Sequence, residues 1–322
     1  MTGGQRDLSA ELKKARDGDV VALSQLVSAV ESRRRDLGAV LHDIYTTGGH
    51  ARVIGITGPP GSGKSSLTSA LLRELRQRGE RVAVVAVDPS SALTGGAILG
   101  DRLRMTEHSA DAGVYVRSVS ARGALGGLSR ATADIVAVLD SAGWDTVIVE
   151  TVGVGQDEVD IMRIAHTVAV VSVPGLGDDV QAMKAGLLEV ADLHVVNKAD
   201  RKDAHRTTVE LRAMLRLGGP RQPGQWHPPV LETIALNGSG VTELADELAR
   251  HRAWLSDTGE LDRRALTAAA ERIRSIAKEL LLRRLGDPGA ASPFGALAHE
   301  VAARKIDPHA AARSLVSWQD QG

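Results

Sequence analysis

Gly58, Pro59, Pro60, Gly61, Ser62, Gly63, Lys64 and Ser65 follow the spacing Gly-x-x-x-x-Gly-Lys-Ser/Thr, and the chemistry of that spacing is phosphate binding. The glycines let successive backbone N–H groups turn inward around phosphate oxygens. Lys64 adds a cation for the outer phosphates, and Ser65 offers a hydroxyl to Mg²⁺. Ser66 falls in the first turn of the helix that follows, whose N-terminus itself attracts anions. An apolar strand expected over 52–57 precedes the loop and a helix expected over 66–77 follows it, which is the setting the motif requires.

A second segment addresses the base. The apolar run 192–196 delivers Asn197, Lys198 and Asp200 to the end of a strand. A carboxylate at Asp200 can accept from guanine N1–H and the 2-amino group together. Adenine has an acceptor at N1 and no 2-amino donor, so ATP would leave a buried Asp200 unpaired, and unpaired polar groups discriminate strongly. Lys198 can lay its aliphatic stem along the base or ribose while Asn197 braces the loop. Ile234, Ala235 and Leu236 fall where a backbone contact to guanine belongs; a plain strand and turn accounts for them equally well.

Other polar residues close neighbouring strands. Asp88 is placed either to act on Mg²⁺ or its waters, or to form an Asx-turn before Pro89. Asp101 and Arg104 are either switch residues reaching the metal or γ-phosphate, or a local ion pair. Glu150-Thr-Val-Gly153 resembles the Asp-x-x-Gly of many GTPases, with an acid one methylene longer. Lys64, Asp101 and Glu150 are thus the candidates for catalysis, and Ser65, Asp88, Asp101 and Glu150 those for the metal environment. Gln156 reads better as a polar side chain turned to solvent than as a water-orienting residue. Asp178, Asp179 and Lys184 follow a glycine-hinged segment beside the nucleotide, which is either a switch loop or the acidic N-terminus of an ordinary helix.

These residues need a sheet to hold them. Short β-branched runs at 52–57, 81–87, 114–117, 145–150, 167–173, 192–196 and 229–236 alternate with helical patterns. That alternation predicts a parallel sheet covered on both faces, with ligands at the carboxyl ends of its strands. Residues 8–47 read as helical with a break at Asp17-Gly-Asp19, 261–286 as one long helix and 295–305 as a smaller one. The expected division is a helical segment over 1–50, a phosphate-loop domain over 51–256 and a helical tail over 257–322.

Composition bounds the rest. The 322 residues carry 39 basic and 40 acidic side chains, so no global field points to nucleic acid or an anionic membrane. One Phe and two Tyr leave no stacking platform for single strands. With no cysteine there are no disulfides or thiolate sites, which fits a reducing cytoplasm. No stretch is apolar enough for a signal core or a membrane span, so a soluble protein is expected.

The segments 58–65, 87–91, 94–105, 149–156 and 197–200 together resemble the MeaB/ArgK family, over nearly the whole chain. The resemblance implies a SIMIBI-class P-loop GTPase with GTP/GDP and Mg²⁺ as ligands, homodimeric through its C-terminal helical arm. It implies slow hydrolysis stimulated by a partner, an adenosylcobalamin-dependent acyl-CoA mutase such as methylmalonyl-CoA mutase, whose cofactor loading the GTPase assists and protects. In that family Lys184 lies in the loop that meets the mutase. Cobalamin belongs on the mutase, and no Asp-x-His-x-x-Gly ligating motif occurs here. Two alternatives stand beside this: a metallochaperone GTPase, which the lack of cysteine disfavours, and a kinase or transport ATPase.

Overall fold

The computed structural model describes residues 7–34, 36–89, 111–121, 130–151, 161–175, 191–216, 224–285 and 292–319. Seven strands form one sheet: β1 (Arg52–Thr57), β2 (Val82–Pro89), β3 (Val114–Ala121), β4 (Thr146–Thr151), β5 (Thr167–Ser172), β6 (Leu193–Asn197) and β7 (Val230–Thr233). Their order is β3-β2-β4-β1-β5-β6-β7. Every neighbouring pair runs parallel. The strand leading into the phosphate loop therefore lies at the centre, between β4 and β5.

Burial on both faces explains the near-continuous apolar runs. All six residues of β4 and of β5 are buried, as parallel strands under helices require. One face of the sheet is covered by α4 (Lys64–Gln77) and the helix Val241–Asp257, numbered α7 below. There Leu71, Leu72 and Leu75 meet Leu244 and Leu248 over Ile54, Ile56, Val84 and Ile148. The opposite face carries α1 (Leu8–Arg16), α2 (Val20–Glu31), α3 (Leu37–Thr47) and α5 (Arg130–Ser141). Leu12, Leu23, Leu26, Ile44, Ile135 and Leu139 pack there with Val85 and Val149. α6 (Ala204–Arg216) adds a smaller cluster of Leu211 with Val196 and Val230.

The chain divides into two compact units, Met1–Leu261 and Asp262–Gly322. Helix α8 (Glu260–Leu285) begins at the end of the first; the second contains most of α8, then α9 (Pro293–Ala302) and α10 (Pro308–Gln319). No described helix is long and apolar enough to cross a membrane.

The elements differ from the sequence expectation in a few places. β3 runs on to Ala121, and β7 stops at Thr233 because Ile234 turns back to bridge Ser239. The helical front breaks twice: at Asp17-Gly-Asp19 as expected, and again after Glu31, where Arg33 takes φ 52°. α10 is an addition. Asp307 starts it, its carboxylate accepting from the N–H groups of His309 and Ala310.

Candidate functional site

At the carboxyl end of β1 the backbone reverses through Gly58, Gly61 and Gly63, all at positive φ (141°, 77° and 85°). Two of these glycines are also forced by contact. A Cβ on Gly58 would lie 2.1 Å from the Val171 carbonyl oxygen, and one on Gly63 2.5 Å from Asn197 Nδ2. The loop is thus pressed against β5 on one side and against Asn197 on the other. Gly63 caps α4, whose first intrahelical bond runs from Leu67 N to Gly63 O at 2.9 Å. The N–H groups of Lys64, Ser65 and Ser66 are left at the helix start, where such groups have no intrahelical acceptor. Together with the dipole they make an anion-attracting end.

Lys64 is buried, only 6% exposed. Its ammonium donates to the carbonyls of Gly58 (2.8 Å) and Pro59 (3.1 Å), so the loop itself supplies the partners that a buried cation needs. The charge is held over the mouth of the loop, ready to exchange carbonyl oxygens for stronger phosphate acceptors. Beside it, Ser65 donates its hydroxyl to Glu150 Oε1 at 2.6 Å. Glu150 is the penultimate residue of an all-buried strand and is itself 5% exposed. A hydroxyl and a carboxylate meeting next to a phosphate loop form an oxygen donor set of the kind that suits a hard cation such as Mg²⁺. Among the described residues no cluster of three or more His, Cys, Asp or Glu offers a metal site elsewhere.

The second segment meets the first directly. Asn197, at the end of β6 and 1% exposed, donates through Nδ2 to Ser62 O at 3.0 Å. Its Oδ1 accepts from Ala235 N (3.2 Å) and Thr233 Oγ1 (3.3 Å). One amide therefore ties together the phosphate loop, β6 and the turn after β7. Lys198 sits at φ 58° and donates its ammonium to Gly61 O at 2.8 Å. Asp200 lies in the turn beyond and is exposed, not buried as the sequence reading supposed. The reason is local: β6 ends at Asn197, and the chain leaves the sheet edge before it reaches Asp200. Ile234 is half-buried, Ala235 is buried, and Leu236 is 89% exposed at the tip of its turn.

The sequence candidates thus fall into two groups. Residues 58–66, Glu150, Asn197, Lys198, Asp200 and 234–236 lie at the carboxyl ends of β1, β4, β6 and β7, with Asn197 linking several of them. Asp88 is the penultimate residue of β2, and its side chain is outside the described residues, as are Asp101, Arg104, Gly153, Gln156, Asp178, Asp179 and Lys184. Two further polar residues join the site only in three dimensions: Thr57 and Thr151, whose hydroxyls meet at 2.8 Å. Their only sequence signal is that each is the last polar residue of an apolar strand running into a motif.

A parallel sheet with a glycine-rich loop leading from its central strand into a helix, and the end of β6 bonded to that loop, defines a P-loop nucleotide-binding protein. Residues 23–289 match the family described as methylmalonyl-CoA mutase-associated GTPase MeaB. The chain belongs to that family and is a GTPase of the MeaB type. A Pyrococcus horikoshii protein named as a GTPase is 43% identical over 302 residues, covering 94% of this chain and 95% of that one. The Caenorhabditis elegans protein named methylmalonic aciduria type A homolog, mitochondrial, is 33% identical, covering 94% and 81%. Among solved structures, one described as an LAO/AO transport system kinase superposes with a TM-score of 0.73 at 28% identity, over 97% of each chain.

Proposed function

We propose that this GTPase is a chaperone of an adenosylcobalamin-dependent acyl-CoA mutase, coupling GTP binding and hydrolysis to the loading and protection of the mutase cofactor. One observation carries the nucleotide half of the reading. Asn197 and Lys198 donate directly to Ser62 O and Gly61 O, so phosphate and base recognition share one pocket. In this reading the N–H groups of 58–66 and the Lys64 ammonium hold the phosphates. Asp200 reads guanine N1–H and the 2-amino group; its exposure leaves it open to the incoming base, which covers it on binding. The turn 234–236 completes the base contact through its backbone.

Ser65 and Glu150 would hold Mg²⁺, with Asp88 and Asp101 contributing to the same environment; the ion supplies charge neutralisation on the β- and γ-phosphates. The chain's own share is positioning and electrostatics. Lys64 lies over the loop for the transferred phosphoryl, and no strong base stands beside it among the described residues. A slow resting rate that a partner accelerates follows from such a site. Asp178, Asp179 and Lys184 are assigned to a loop that meets that partner.

The client half rests on the family's description and on the name of the nematode relative. Homodimerisation through the tail is supported by Leu266, Ile273 and Leu280, which recur every seven residues on α8 and are 72%, 69% and 53% exposed. Such a stripe is an interface waiting for a partner helix. Dimerisation by residues 257–322, with 1–50 and 51–256 as helical front and phosphate-loop domain, completes the arrangement, in the cytoplasm with the mutase.

Lys64→Ala should abolish hydrolysis and weaken phosphate binding; full retained activity would remove the loop's role. Asp200→Asn should lose the preference for GTP over ATP and gain affinity for xanthosine triphosphate, whose 2-position is an acceptor, whereas an unchanged nucleotide ranking would remove Asp200 as base reader. The client is tested by adding purified methylmalonyl-CoA mutase to a phosphate-release assay, where acceleration supports the pairing and a flat rate opposes it. The structural neighbour described as a kinase favours one other reading, transfer of the γ-phosphoryl to an acceptor. Stoichiometric release of inorganic phosphate would exclude it.

A further inference from the structure

The ladder between β1 and β4 runs from Arg52↔Thr146 to Ile56↔Glu150. The next position is the last of both strands: β1 ends at Thr57 before the phosphate loop, and β4 ends at Thr151. At that point the Thr151 hydroxyl donates to the Thr57 hydroxyl at 2.8 Å. Both side chains are buried, 0% exposed for Thr57 and 1% for Thr151. On their outer sides the same residues still pair with the sheet, Thr57 with Val170 and Thr151 with Val87. The hydroxyl pair therefore continues the β1–β4 junction one step past the last backbone rung, at the root of both functional segments.

What hangs from that root is the Ser65–Glu150 contact. Glu150 is the residue before Thr151. Ser65 belongs to the helix that starts at Lys64, and the loop between Thr57 and that helix is fixed at Gly58 by its approach to the Val171 carbonyl. Loss of the hydroxyl pair would let β4's last residue move away from β1. It would also strand one hydroxyl where no water reaches it, and the relaxation of that buried group falls on Glu150 first.

We infer that Thr57 and Thr151 are positioning residues that set the spacing between Ser65 and Glu150, and with it the affinity of this oxygen pair for Mg²⁺. The inference rests on the metal role proposed above for Ser65 and Glu150. Neither threonine touches nucleotide in this scheme; they act through the two residues that hold the ion. Groups behind the ligands of a metal commonly change its affinity by roughly 10- to 100-fold when removed.

The test reads metal binding separately from catalysis. Release of a fluorescent GDP analogue from the full-length protein is followed by stopped flow across a Mg²⁺ titration, and again in EDTA. Thr151→Val, nearly isosteric but without the hydroxyl, should raise the Mg²⁺ concentration for half-maximal GDP retention by roughly 10- to 100-fold. Its release rate in EDTA should stay within about twofold of wild type, because the phosphate loop itself is intact. Thr151→Ser should restore the wild-type titration. Thr57→Val should reproduce the Thr151→Val result, and the double variant should be no worse than either single one, because both changes break the same contact.

An unchanged Mg²⁺ titration in both valine variants, or a serine variant as impaired as valine, would overturn the inference. So would a change in EDTA as large as the change in Mg²⁺, which marks general loosening of the loop. If Thr151→Val does not fold, Thr57→Val carries the same readings. A wild-type protein that retains GDP equally with and without Mg²⁺ would instead defeat the metal role of Ser65 and Glu150.

Discussion

Two leucine-rich helices of this chain meet opposite fates. Leu67, Leu71, Leu72 and Leu75 of α4 are at most 1% exposed, sealed between the sheet and α7. Leu266 and Ile273 of α8 are 72% and 69% exposed. Composition does not separate the two helices; the surface available to each does. α4 follows a strand and a phosphate loop, and the reversal of the chain at that loop lays it back on the sheet that positions the site. α8 begins where the strands have ended. Its apolar stripe is left exposed. The first helix holds a site in place, and the second is proposed to hold a second subunit.

The contrast is tested most strongly at the centre of α4. Leu71→Ala removes a side chain that is 0% exposed and packed on β1 and α7. It should destabilise the chain by about 2–5 kcal/mol in urea unfolding, the usual cost of deleting a buried leucine where the neighbours cannot collapse into the space. A loss below about 1 kcal/mol would mean that the layer between α4 and the sheet is far looser than its burial indicates.

Much of this region was legible in the residues themselves. Gly58, Gly61, Gly63 and Lys64 announce a turn with inward N–H groups, and the apolar runs around Ile54, Val84, Ile148 and Val170 can only be strands buried on both faces. Other features need three dimensions. In Ser32-Arg-Arg-Arg-Asp36 neither Gly nor Pro marks a helix break, yet Arg33 adopts a left-handed conformation there. α10 carried a signal that periodicity overlooks, an Asp307-Pro308 start with the carboxylate as cap. The exposure of Asp200 and the meeting of Thr57 with Thr151 depend on where strands end relative to one another, and hydrophobic pattern fixes strand ends poorly.

Acid sharpens the comparison from the side of the sheet. His194 lies in β6, 0% exposed, and neither ring nitrogen has a hydrogen-bond partner among the described residues. Burial pushes its pKa from the ordinary 6.5 down to about 4, because the charged ring would lose its hydration. The unfolded chain takes up a proton near 6.5 while the folded chain refuses it until about 4. The unfolded state therefore binds more protons in that window, and stability falls as the pH drops through it, by about 3 kcal/mol for this one group. His194→Gln should remove that share of the acid dependence while leaving the remainder. Equal slopes of unfolding free energy against pH for wild type and variant, between pH 7 and 4, would show that the ring is hydrated in the folded state.

The smallest effect on folding, and the largest on assembly, is expected at α8. A double substitution Leu266→Glu and Ile273→Glu places two charges on the exposed stripe without touching any residue of the buried clusters. Exposed side chains of this kind change unfolding free energy by no more than about 0.5 kcal/mol. If the stripe pairs with a second copy, each interface receives four carboxylates in an apolar seam, and light scattering should report a shift from dimer to monomer at micromolar concentration. Intrinsic hydrolysis should persist in the monomer, because every nucleotide-site residue discussed above lies within the first unit. A variant that stays dimeric would transfer dimerisation to another surface. A variant that unfolds at much lower urea would mean that the exposed leucines of α8 are as much a part of the folded core as those of α4.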